Sequence, residues 1–158
     1  MKKKTAATTA LCLTLAMLAT PALARPVTIT TKMKPYGGEA AYLALYLTDA
    51  RGAYKGTLWV AGRKAKYWSH LSNWYRATGG APAGVDAVTG ASVGSGRTLT
   101  VTVALADALI DAGYQIRVDS AVEDGADRPV DAAVALTTRG KRLPVAGKGF
   151  VQSLQYNF

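Results

Sequence analysis

Cysteine is almost missing from this chain: of 158 residues only Cys12 is one, and it lies in a segment that reads as a cleaved leader. A mature chain without cysteine forms no disulfide and does no thiolate chemistry, so its stability rests on packing. Histidine is just as scarce, with His70 alone. No carboxylates gather around it at ligand spacing, so the sequence offers no metal centre, and no motif positions it as the base of a Ser-His-Asp triad. His70 reads as a surface or boundary residue, with haem ligand or proton donor as the functional alternative. Acidic residues number 10 against 19 Lys and Arg. Paired catalytic carboxylates, internal repeats and low-complexity linkers are also lacking, so the sequence predicts one domain and no stand-alone catalytic constellation.

The ends assign a compartment. Lys2-Lys3-Lys4 precedes an apolar stretch from Leu11 to Leu18, and Pro21 precedes the small-x-small site Ala22-Leu23-Ala24. This pattern predicts a secretory signal peptide over residues 1–24 and a mature periplasmic domain over 25–158 that starts at Arg25. The apolar stretch is shorter than the roughly 20 residues that span a bilayer, and Leu11 stands before Cys12 where lipid attachment needs a small residue. Loss of the three lysines lowers the formal charge from +9 to +6. Basic groups remain at Arg63-Lys64-Lys66 and Arg139-Lys141-Arg142. They read as solvated charge or as a face for acidic lipids or an acidic protein partner. No nucleic-acid motif is present, and none is expected in a secreted chain.

Alternation with a period of two dominates what is there. Val27, Ile29 and Met33 oppose Thr28, Thr30 and Lys32; Leu99, Val101, Val103 and Leu105 oppose Thr98, Thr100 and Thr102. Tyr114, Ile116, Val118 and Val122 oppose Gln115, Arg117, Asp119 and Glu123, and Val130, Val134 and Leu136 follow the turn Glu123 to Pro129. Tyr42 to Leu47 is apolar on both faces, as a central strand would be, with a partner expected near Gly56 to Gly62 and a last strand over Phe150 to Phe158. About seven strands with turns between them predict an all-β, immunoglobulin-like antiparallel β-sandwich. From Lys64 to Arg76 the period changes to near-helical, and a glycine-rich loop follows. The sequence thus predicts a short helical insertion and a glycine-rich loop on a sandwich. Trp68, Trp74 and Tyr75 in that insertion either pack it onto the sheet or form a stacking surface for a ring-shaped ligand.

The loop carries Asp86-Ala87-Val88-Thr89-Gly90-Ala91-Ser92. As bare residues, with Thr78 to Gly84 before it and Gly94-Ser95-Gly96 after it, this is turn material. It also resembles the pattern Asp-x-x-Ser/Thr-Gly-Ala-Ser/Thr on which a periplasmic FMN transferase takes FMN from FAD and joins it to a hydroxyl. The resemblance implies FMN attached at Ser92, Asp86 near the metal of the transferase, and Thr89, Gly90 and Ala91 shaping the approach. Arg97 is a candidate counter-charge for the phosphodiester, and Trp68, Trp74 and Tyr75 are candidates for flavin stacking.

Further stretches carry a wider resemblance. Tyr42 to Gly52, Gly56-Thr-Leu-Trp-Val60, Tyr67-Trp68, Trp74-Tyr75-Arg76, the Asp86 to Ser92 motif and Ala112 to Val118 with Glu123-Asp-Gly125 are similar, in this order, to the predicted periplasmic family named domain of unknown function 2271. The chain departs from the family pattern at Ala104 to Ala112 and lacks a further Thr or Ser after Ser92. That family resembles a sandwich of the flagellar-hook-cap type that accompanies PepSY membrane proteins and the FMN transferase. The resemblance implies a periplasmic electron-transfer protein carrying covalent FMN and working with a membrane redox partner. The rival is an immunoglobulin-like binding or accessory module without a cofactor. A hydrolase using Ser92 is a third reading, with no motif to supply its base.

Overall fold

The computed structural model describes residues 23–158, so the expected leader lies outside the described residues except for Leu23 and Ala24. The described chain is an all-β sandwich of nine strands: β1 Ala24–Met33, β2 Tyr42–Thr48, β3 Tyr54–Ala61, β4 Thr89–Gly90, β5 Thr98–Ala106, β6 Gln115–Ala121, β7 Arg128–Ala135, β8 Val145–Ala146 and β9 Val151–Asn157. One sheet has the order β5-β1-β9-β8 and the other β4-β3-β2-β6-β7. Every pairing is antiparallel except that of β3 with β4.

Alternating residues of both sheets meet in one apolar core. Val27, Ile29 and Met33 of β1, Leu43, Leu45 and Leu47 of β2, Ile116 and Val118 of β6, and Val151, Leu154 and Tyr156 of β9 are buried together. Their burial follows from the pleat, which sends every second side chain to one face. The other face of the five-stranded sheet is covered as well. Residues Ala65–His70 form a 3-10 helix and Ser72–Ala77 form α1. This insertion seats Trp68, Leu71 and Trp74 against Ala44, Tyr46, Val60 and Ala121 in a second apolar cluster. Tyr42 to Leu47 is therefore apolar on both faces because β2 has a core on each side.

That second layer changes the expected role of Asp119. Alternation places it with Gln115 and Arg117 on the polar face of β6, yet it is fully buried. The insertion roofs that face, and Asp119 survives there because three donors converge on it. These are Tyr46 Oη at 2.9 Å, Trp74 N–H at 2.8 Å and Val130 N–H at 2.8 Å. Burial raises the Tyr46 hydroxyl above its ordinary pKa, and the neighbouring Asp119 charge adds to the rise. A buried carboxylate with its lone pairs satisfied anchors structure, whereas an unpaired one would be costly.

A second buried carboxylate joins the two sheets. Asp131 in β7 accepts from Ser120 Oγ at 2.5 Å within its own sheet, and from Gly149 N–H at 2.6 Å and Val151 N–H at 2.9 Å beside the opposite one. The Ala104 to Ala112 segment closes by local charge. Asp107 pairs with Arg25, and Asp111, at φ 59°, accepts from Thr138 N–H and Oγ1.

Candidate functional site

The Asp86 to Ser92 motif begins as a 3-10 turn and ends at a sheet edge. Residues Asp86–Val88 form the turn, with Asp86 and Ala87 exposed. Thr89 Oγ1 donates to the Val85 carbonyl at 2.7 Å, which closes the turn from its far side. Thr89 and Gly90 then lie parallel to the end of β3, opposite Val60 and Ala61. Gly62 N–H extends that pairing by donating to the Gly90 carbonyl at 2.9 Å. Beyond Gly90 the chain exchanges hydrogen bonds between Val93 and Ala41, each 2.8 Å, turns over Gly94 to Arg97 and enters β5. Since β4 and β5 are edges of different sheets, Ser92 sits where the chain crosses from one layer of the sandwich to the other.

Ser92 is half-buried and Arg97 exposed. Both line a cavity of about 310 Å³ whose other walls include Trp59, Gly90, Ala91 and Leu99. Among the described residues the Ser92 hydroxyl has no hydrogen-bond partner, whereas those of Thr89 and Ser95 on either side are engaged. Arg97 forms no ion pair among the described residues. The cavity thus combines a free hydroxyl, a free cation and an aromatic wall.

Trp59 is the residue that sequence reasoning missed. A bulge between Leu45 and Tyr46 pairs them with Trp59 and Thr57, leaving Leu58 as the extra residue. Two consecutive side chains, Leu58 and Trp59, therefore pack toward the inter-sheet core, as bulges commonly re-aim a side chain. The Trp59 indole ends under Gly90, and its Nε1 is buried with no partner. A Cβ at Gly90 would come within 2.7 Å of Trp59 Cζ2. Glycine is needed here for room beside the indole rather than for its backbone angles, since its φ lies outside the left-handed region. The signal in the sequence was a tryptophan one position from a β-bulge, which alternation alone does not mark.

Asp86 and Thr89 face a different cavity, of about 330 Å³, with Arg63 and Trp68. The motif is therefore divided, with its acid and first hydroxyl in one hollow and Ser92 in the next. Of the three candidate stacking residues, Trp68 lines the Asp86 hollow with only 8% of its surface exposed, and Trp74 is wholly buried. The two rings meet edge to face at 5.8 Å. Trp68 Nε1 donates to the Gly62 carbonyl at 2.8 Å and Trp74 Nε1 to Thr57 Oγ1 at 2.9 Å. Trp74 is a core residue whose ring is closed to a surface ligand, and Tyr75, half-buried, packs beside Gly80. Neither Trp74 nor Tyr75 lines the hollow that contains Ser92.

The family model described as "Predicted periplasmic protein (DUF2271)" matches residues 24–153. The chain belongs to this family. No curated protein and no solved structure matches it. In this DUF2271 domain no helix among the described residues is long and apolar enough to cross a membrane. Nor does any group of three or more His, Cys, Asp or Glu among them have the arrangement of a metal site. His70 stands apart from Ser92, in a cavity with Tyr67, Glu123 and Asp124, where its Nδ1 lies 3.0 Å from Asp127 Oδ1. The domain brings no histidine base to Ser92.

Proposed function

We propose that this protein is a periplasmic electron-transfer protein that carries FMN joined through its phosphate to Ser92 Oγ and works with a membrane redox partner, of PepSY type or otherwise haem- or flavin-bearing. The observation that carries the reading is the setting of Ser92. Its hydroxyl is unengaged, and the same hollow holds the unpaired Arg97 and the indole of Trp59. The lining suits a phosphodiester: Arg97 offsets its negative charge, and Trp59 forms part of the wall. Membership of a family described as periplasmic supports the compartment.

In the attachment step, Ser92 Oγ attacks the phosphorus of the FMN half of FAD in the site of a periplasmic FMN transferase. The Oγ–P bond forms as the pyrophosphate bond breaks, AMP leaves with the electron pair, and the hydroxyl proton passes to a base of the transferase. No redox change accompanies this step. Exposed Asp86 is accessible to the transferase and its magnesium, and Thr89 holds the turn through Val85. Once attached, the flavin supplies one- and two-electron transfer, while the chain supplies tethering, exposure and local charge. We read the sandwich as immunoglobulin-like, which is supported by two facing sheets between which the chain crosses after β1, β4, β5 and β7.

A second reading is favoured by one observation: Gly90, Thr89 and the β3–β4 pairing each have a packing role that needs no cofactor. In that reading the protein is a non-catalytic immunoglobulin-like accessory module of the periplasm. One experiment separates the two. Co-expression with a periplasmic FMN transferase should add the mass of FMN minus one water to the mature chain. Ser92→Ala should abolish the addition, Ser92→Thr should retain it, and Thr89→Ala and Asp86→Ala should reduce it. A chain that stays unmodified beside an active transferase that labels a control substrate refutes the flavin reading and leaves the accessory module.

A further inference from the structure

A cleft away from the Ser92 hollow gathers positive charge without an acid to meet it. It lies between α1 and the turn joining β2 to β3, has a volume of about 230 Å³, and is lined by Arg76, Arg117, Asn73, Gly52 and the rings of Tyr46 and Tyr54. No carboxylate among the described residues lines it. Neither arginine forms an ion pair among the described residues. The acids nearby are committed elsewhere: Asp49 in the turn pairs with Lys55 at 3.0 Å, and Asp119 behind Tyr46 has its three donors.

Arg117 is held in place before any ligand arrives. Its Nε and Nη2 donate to Gln115 Oε1 at 3.2 Å and 3.1 Å, which leaves further N–H groups of the guanidinium unspent. The Nη end of its guanidinium approaches the turn at Gly52, where a Cβ would come within 3.1 Å of Nη2 and 3.3 Å of Nη1 and where φ is +82°. Asn73 and Arg76 are three residues apart on α1, so they project from one side of the helix toward Arg117. Two like charges converging on a concave surface repel each other unless an anion sits between them.

We propose that this cleft binds a small oxyanion, a carboxylate or a phosphate, with Arg117 and Arg76 as its two cationic donors and Asn73 as a neutral one. The guanidinium fork matches both oxyanions through paired N–H···O bonds, and the volume falls below the roughly 300–1,000 Å³ of sites for drug-sized ligands. The site is separate from the flavin reading and is tested on the chain without any attached group.

The test is a titration of the isotopically labelled mature chain with inorganic phosphate in one arm and succinate in the other, at constant ionic strength set with sodium chloride, followed by amide chemical shifts. Saturable shifts confined to Gly52, Asn73, Arg76 and Arg117 are expected, and the arm that saturates at lower concentration identifies the class of oxyanion. Arg117→Gln and Arg76→Gln should each weaken binding about tenfold or more, as loss of a charged hydrogen-bond donor does. Arg139→Gln, which removes the same charge from an exposed position outside the cleft, should leave it unchanged. Shifts that rise without saturation across all basic groups overturn the proposal, as does unaltered affinity in Arg76→Gln. That exposed α1 variant keeps the test decisive even where Arg117→Gln impairs folding.

Discussion

Substituting Gly90 by alanine should destabilise the protein, and the same substitution should stabilise it once Trp59 is removed. The added methyl would stand 2.7 Å from Trp59 Cζ2 and 3.3 Å from Nε1, well inside van der Waals contact. Trp59 packs from β3 against the inter-sheet core, so moving its ring aside gives up that packing. Overpacking of this kind costs about 1–3 kcal/mol. Against it, replacing glycine at a position whose backbone alanine can adopt stabilises by about 0.4–1 kcal/mol through the unfolded chain, and Gly90 lies outside the left-handed region. The net expectation is a loss of about 1–2 kcal/mol in the wild-type background and a gain of up to about 1 kcal/mol in Trp59→Leu, a coupling of about 1–3 kcal/mol between residues in contact. Urea unfolding followed by far-ultraviolet circular dichroism measures both without relying on tryptophan emission. Equal effects of Gly90→Ala in the two backgrounds refute the steric account of the motif's glycine.

Two other perturbations test the rest of the framework. Trp74→Ala should cost about 3–5 kcal/mol, the range for truncating a buried aromatic, because the ring is fully buried and its Nε1 bond to Thr57 is lost; a loss below about 1 kcal/mol in equilibrium unfolding would show that the ring is not a core element. Asp107 is held below its ordinary value of 3.8 chiefly by the hydrogen bond from Arg25, and Asp111 likewise by Thr138. Depressed native values mean that their stabilisation is complete above the unfolded value and is lost as pH falls through the native ones. The melting temperature should therefore fall between about pH 5 and pH 2, with a shallower fall in Asp107→Asn; an unchanged slope in that variant refutes the assignment.

The sandwich was legible because its long strands alternate. Leu43, Leu45 and Leu47 mark one core, and Tyr42, Ala44 and Tyr46, read as the opposite apolar face, mark the second. The helical insertion was legible from the spacing of Tyr67, Leu71, Trp74 and Tyr75. Two elements were not: β4 and β8 have two residues each, too short for any period to register. Asp119 misled because alternation says which face a residue takes but not whether another layer covers that face. In the candidate site, the motif pointed to Ser92, with Arg97 named beside it as a counter-charge, and both line one hollow. Trp59 was hidden by the bulge, which breaks the phase on which strand reading depends, and the anion cleft was hidden because α1, β6 and the β2–β3 turn meet only in space.

The parallel pairing of Thr89 and Gly90 with β3 has a consequence for solubility. An uncovered sheet edge offers a row of free N–H and C=O groups that a second molecule can extend. In this protein the end of β3 is shielded by those two residues and the Gly62 bond that follows. The same short segment that presents Ser92 is thus the guard of an open margin. Any agent that grips the motif as an extended peptide and draws it outward bares the β3 backbone, so prolonged engagement at this segment favours strand addition between molecules over return to the monomer.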